Sequence, residues 1–167
     1  MKILLYGGNI WYFGEGMLGP LFAVFTERVG GDILDISGAW ATYLIIAGLL
    51  YIVVGKITDT YNNAEKIMVL GYALNALFIF GYLFASVPWH LFVVQAGLGV
   101  AAAMATPTWN ALYAKHEDRR HSGFQWGLAG IIGGYIVSIV SFTALFVTMG
   151  IIQVIATIYQ AQILRKK

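Results

Sequence analysis

A chain of 167 residues that is 59% hydrophobic and only 11% charged, with a mean hydropathy of +0.75, cannot hide its apolar surface in a water-soluble fold of that size. The same figures exclude intrinsic disorder, and the absence of cysteine excludes a disulfide scaffold and any Cys-based metal or redox centre. A net charge of +2 leaves no electrostatic footprint for nucleic acid, so the composition points to an all-α, multi-pass membrane protein.

A bilayer-spanning helix needs about 20 mostly apolar residues, and runs of that kind recur along the chain. The first lies between Lys2 and Glu27, is broken only by Glu15, and predicts a helix over 3–26. It is too long for a signal-peptide core, carries Trp11 and Tyr12, and has no small-x-small cleavage site, so it is expected to stay as a span. Asp35 and Lys56 bracket the second run, which predicts a helix over 36–58. The third, between Lys66 and Pro88, predicts 67–87, and the fourth, from Trp89 to Tyr113, predicts 89–113. From Ser122 to Leu164 there is no charge over 43 residues, which is too long for one span. Two helices over 121–141 and 144–164, turning at Ser141-Phe142-Thr143, bring the expected count to six. These runs are continuously apolar and do not alternate, which excludes a β-barrel.

Lys and Arg set the orientation. Lys2, Lys56, Lys66, Lys115, Arg119, Arg120, Arg165, Lys166 and Lys167 make nine cations on one side, against Arg28 alone on the other. Both termini are therefore expected to be cytoplasmic, in the inner or plasma membrane of the cell. The two halves of the chain also echo each other. Pro20 lies eight residues before Arg28 and Pro107 eight before Lys115, while Ser37-Gly38-Ala39-Trp40 resembles Ser122-Gly123-Phe124-Gln125-Trp126. Three helices are an odd number, so two such triplets would have inverted topology, a transporter signature.

Six helices in two inverted triplets resemble one half of a major facilitator superfamily transporter. Gly55-Lys56-Ile57-Thr58-Asp59, between the second and third spans, is similar to that family's Gly-x-x-x-Asp loop motif; Lys66 matches its distal basic residue, and Thr60 and Asn62 depart from it. Gly97-Leu98-Gly99-Val100-Ala101 resembles the Gly-x-Gly-Ala stretch of the family's fourth helix. Val93 stands where many of its proton-driven drug exporters carry Arg, and the fifth helix lacks their Gly-Pro pair. The family's usual chain has twelve helices with the solute path between two six-helix halves. The resemblance therefore implies a half-size secondary transporter working by alternating access. A parallel homodimer is expected, with pairing to another six-helix half as the alternative. The rival reading is a non-transporting accessory or scaffold subunit of the same architecture. The expected partners are membrane lipid and a small-molecule solute, without nucleic acid and without a cofactor.

Glu15 is the only acidic residue inside a span, near the middle of the first predicted helix. Placing a carboxylate there costs about 2.5–3.5 kcal/mol, so such residues mark solute or proton paths. Helical spacing puts Trp11, Tyr12, Leu18, Gly19 and Phe22 on its face, where Trp11 and Tyr12 could stack on a sugar or hold an organic cation. Gln95, Thr106 and Asn110 form a polar stripe on the fourth helix; the resemblance places both helices against the cavity. Asn75, Gln125 and Gln153 are weaker candidates, and the resemblance puts the helices of Asn75 and Gln153 outside the cavity. By the same resemblance, Gly55 and Asp59 form a cytoplasmic gate with Arg119 or Arg120. Pro20 and Pro107 are expected to bend their helices. Gly123, Gly127, Gly130 and Gly134 form small-x-x-x-small pairs suited to dimer packing. His116-Glu117-Asp118 and His121 are interleaved with Arg119 and Arg120, which repel cations, so no metal site is expected. There is no phosphate-binding loop and no Ser-His-Asp or paired-carboxylate arrangement, so neither ATP drive nor an enzyme is expected.

Overall fold

The computed structural model describes residues 2–61, 63–114 and 122–165. Its regular structure among these residues is entirely helical: α1 (Lys2–Gly16), α2 (Phe22–Arg28), α3 (Ile33–Tyr61), α4 (Ala64–Gly81), α5 (Pro88–Ala114), α6 (Ser122–Ile139) and α7 (Phe142–Ala161). Four stretches are long and apolar enough to cross a membrane: Ile33–Thr58, Ala64–Phe84, Pro88–Leu112 and Phe142–Arg165. Leu128–Ile139 of α6 is apolar but shorter.

The first segment differs from the single helix expected over 3–26. It is two helices, parted by a 3-10 turn at Gly19–Leu21 with Pro20 at its start. Proline has no N–H to donate, so position 20 cannot continue the helical ladder to the carbonyl of Gly16, four residues earlier. Gly16 and Gly19, both just before it, weaken the helix further. Pro20 thus produces a break rather than a bend, and Glu15 stands at the end of α1 rather than mid-helix. Pro107, by contrast, lies inside α5, and the helix continues through it.

Short caps set the remaining turns. Gly30, at φ 85°, takes the left-handed conformation that ends α2. Asp32 Oδ1 then accepts from the N–H groups of Leu34 (2.8 Å) and Asp35 (3.0 Å), while Asp35 Oδ2 accepts from Asp32 N–H (3.0 Å). This reciprocal cap starts α3. Between α6 and α7 the turn needs only Val140 and Ser141, because Ser141 Oγ accepts from Ala144 N–H (3.1 Å) and Phe142 already begins α7.

Packing follows a twofold pattern. α5 lies against α3 and α4, and α1 lies against α6 and α7, while α4 meets α7 and α1 meets α5. Exchanging α1 with α5, α3 with α6 and α4 with α7 turns each of these pairings into another in the set. Among the described residues the pairings of the two triplets thus correspond, although α5 packs far more extensively on α3 and α4 than α1 does on α6 and α7. α5 is central, with 61% of its most apolar window buried, whereas α3 is peripheral at 17%.

Glycines permit the closest approaches. A Cβ on Gly71 would meet Ala105 N at 2.6 Å, one on Gly99 would meet Tyr43 O at 2.8 Å, and one on Gly133 would overlap Met17 O. These seat α4 and α3 on α5, and α6 on the break after α1. The far end is closed by aromatic packing: Tyr82 stacks on Phe146 (4.9 Å), Phe25 meets Phe146 edge-on (4.6 Å), and Arg28 lies 5.5 Å above the Phe142 ring.

Candidate functional site

The break after Gly16 leaves the Glu15 carboxylate in the bundle interior beside two buried amides. Glu15 Oε1 accepts from Asn75 Nδ2 of α4 at 2.6 Å and from Gln153 Nε2 of α7 at 3.2 Å. The same Gln153 nitrogen donates to the carbonyl of Trp11 at 3.0 Å. Asn75 and Gln153 are 2% and 0% exposed, so these bonds have no competition from solvent. Glu15 Oε2 has no hydrogen bond among the described residues.

Asn75 and Gln153 occupy the same place in their helices: each stands eleven residues after the first residue of α4 or α7. The two triplets therefore contribute equivalent side chains to one carboxylate. Gly14 makes room for one of them, since a Cβ there would lie 2.8 Å from Gln153 Nε2. One heptad back, Gly7 makes room for Gln160, whose Oε1 a Cβ would overlap. Gln160 Nε2 in turn donates to Met68 Sδ at 3.5 Å. Glycines spaced by seven on α1 thus face glutamines spaced by seven on α7, running in opposite directions.

On its other side Glu15 lines a cavity of about 100 Å³. Leu18, Gly19 and Phe22 line it from the chain after α1, Trp40 and Tyr43 from α3, Ile79 and Tyr82 from the end of α4, Gln95 and Leu98 from α5, and Met149 from α7. Phe22, Trp40 and Tyr43 form a continuous aromatic wall, with ring centroids 6.1 and 5.5 Å apart.

The residues singled out from the sequence are divided by the fold. Gln95 shares the cavity with Glu15. Trp11 and Tyr12 do not line it. Trp11 is buried against Tyr12 (4.9 Å) and Tyr72 (5.5 Å), and Tyr12 meets Trp109 edge-on (5.9 Å). They belong to a separate core cluster with Leu4, Met68 and Ala105. The break turns the chain, so the helical face drawn through 11, 12, 15 and 22 does not survive intact. Thr106 is half-buried and Asn110 exposed, and neither lines the cavity.

Gly55 and Asp59 lie near the end of α3, but the Asp59 side chain, Arg119, Arg120 and the His116–His121 stretch fall outside the described residues. Gly123, Gly127, Gly130 and Gly134 all lie in α6. On α6, Gly133 lies against Met17 just after α1, whereas a Cβ on Gly134 would meet nothing within 4 Å. Gln125 is in the part of α6 whose side chains are not described. Leu18, Gly19 and Phe22, placed on the Glu15 face by helical spacing, do line the cavity, but the rest of the aromatic wall has no such signal in the sequence. In the sequence Trp40 stands out only as part of the repeat, and its place in the Glu15 cavity depends on the packing of α3 against α5.

The sequence matches the family model of the Major Facilitator Superfamily over residues 4–165. Among curated proteins none matches it.

Proposed function

Because the chain belongs to the major facilitator superfamily, a family of membrane transporters, we propose that it forms one six-helix half of a secondary transporter. It moves a small organic solute by alternating access, and Glu15 takes up and releases the coupled proton. The observation that carries this reading is the Glu15 cavity. An ionisable group at membrane depth is costly, and it is retained where it faces a path. Here it stands at a helix break, held by one amide from each triplet. The orientation bias of the cations supports cytoplasmic termini, and the six segments would be α1 with α2, then α3 to α7 singly.

Pairing with a second copy in parallel supplies the other half of the path. Two features support it. α3 exposes Leu44, Ile45, Leu49 and Ile52, and α6 exposes Ile131, Tyr135 and Ile139; these two helices are exchanged by the internal twofold. Gly48 and Gly55 on α3 and Gly134 on α6 also have open space where a Cβ would sit, unlike the glycines that admit neighbours inside the bundle. Glycine weakens a helix unless it admits something close.

The chain has no cysteine, so single-cysteine accessibility tests the reading directly. Cysteine at Gly19, a cavity position with free space around it, should react with impermeant thiol reagents from one side of the membrane at a time. The reactive side should shift between acid and alkaline pH, and Glu15→Gln should abolish that shift. A cysteine at Gly19 that never reacts from either side would support a packed scaffold instead. A shift that persists in Glu15→Gln would remove the proton role.

A further inference from the structure

We propose that the Glu15 cavity binds a small organic monocation, with the Glu15 carboxylate as counter-charge and the Phe22–Trp40–Tyr43 wall facing the alkylammonium group. This rests on the reading of the cavity as the solute site and names the class of solute.

Charge comes first. Among the described residues Glu15 is the only charged one lining the cavity, and no Lys, Arg or His lines it. An anion would meet a carboxylate with no compensating cation in a poorly solvated space, which is strongly unfavourable. A neutral polyol is no better served. Against Leu18, Phe22, Ile79, Leu98 and Met149, the described residues of the wall offer only Glu15, the Gln95 amide, the Trp40 indole N–H and the hydroxyls of Tyr43 and Tyr82. A polyol would leave most of its own hydroxyls unpaired, and each unpaired group is costly.

The carboxylate is also prepared for a cation. Both amide donors converge on Oε1, and Oε2 is left without a hydrogen bond among the described residues. A cation or a proton can satisfy that oxygen, so the two compete for it. The walls add the second element of recognition. Trp is the strongest of the ring faces for an ammonium group, and Trp40 lies between Phe22 and Tyr43. Finally, the volume of about 100 Å³ is well below that of pockets for drug-sized ligands, which are roughly 300–1,000 Å³. It suits a compact head group.

The test is equilibrium binding of radiolabelled tetramethylammonium to the full chain in lipid nanodiscs. tert-Butanol serves as the neutral competitor of similar shape and pivalate as the anionic one. Saturable binding of one tetramethylammonium per chain is expected, with competition by unlabelled tetramethylammonium and none by either analogue at the same concentration. Glu15→Gln should weaken binding at least tenfold. Trp40→Leu, at a half-exposed position where folding is not at risk, should weaken it about threefold or more. Equal competition by tert-butanol, or binding unchanged in both variants, overturns the proposal. The cysteine assay uses no solute, so the two readings fail separately. Alternating access without tetramethylammonium binding removes the solute class alone. Binding without alternating access leaves the cation site and removes transport.

Discussion

Two adjacent glycines on α6 offer a controlled measure of how the helix break is held. A methyl added at Gly133 would overlap the carbonyl oxygen of Met17 and lie 3.0 Å from its carbonyl carbon and 3.1 Å from its Cα. All three are backbone atoms of the segment between α1 and α2, so no side-chain rotation relieves the clash. A methyl added at Gly134 meets nothing within 4 Å. Both substitutions to alanine gain the same helix propensity, about 1 kcal/mol, which cancels in the comparison. The remaining difference is the overpacking strain at position 133, about 1–3 kcal/mol, or roughly five- to 150-fold in the unfolding equilibrium. Denaturant titration in mixed micelles, followed by tryptophan fluorescence at a dilution where copies are separate, measures both variants against wild type. Gly133→Ala should be the less stable of the two by that margin. Equal stability of the variants would refute the close seating of α6 on Met17, and with it the geometry that presents Glu15 to the cavity.

The other predictions concern the carboxylate, the caps and the copy-to-copy contact. Asn75→Ala should destabilise the fold by about 1–3 kcal/mol, because it leaves a buried carboxylate oxygen with one donor fewer; a double-mutant cycle with Glu15→Gln should show that most of this loss depends on the carboxylate. Gln153→Ala should cost a comparable amount, since that amide serves both Glu15 and the Trp11 carbonyl; a loss under about 0.5 kcal/mol in the same titration would count against the bond network. Asp32→Ala removes two hydrogen bonds at the start of α3 and should lower stability by about 0.5–2 kcal/mol, with Asp32→Asn retaining most of it. Cysteine at Gly134 should crosslink between copies in native membranes; exclusively monomeric protein under oxidation would argue against α6 as the contact helix.

Much of the architecture could be read from the chain because apolar length is a coarse signal. Runs such as 36–58 and 89–113 can only be satisfied as helices in a bilayer, and the helices observed there differ by a few residues at their ends. The first segment was harder. Hydropathy does not register a lost backbone hydrogen bond, so Pro20, just after Gly16 and Gly19, reads as a bend within one span. The site was legible only in its centre. Glu15 stands out because a carboxylate among apolar residues is expensive. Its partners do not, because Asn75 and Gln153 carry no charge and each is a lone amide in an apolar run. The available signal was relational: an equal offset in two equivalent helices, and glutamines spaced by seven opposite glycines spaced by seven. Such coincidences acquire meaning only once the helices are known to touch. The same holds for Trp40, which reaches Glu15 through the packing of α3 rather than through any pattern in its own segment.

The contact between Met17 and Gly133 also bears on how the protein is made. The segment after α1 leaves the ribosome before α6, with the backbone groups around its break still lacking their final neighbours. The helix that covers it emerges more than 100 residues later. Until then the opening segment has neither a complete ladder of its own nor a surface to lean on, and hydrocarbon cannot supply one. Biogenesis must therefore hold this piece in a sheltered, partly wet setting and release it late. A piece synthesised well before its cover is locked in place only when that cover arrives.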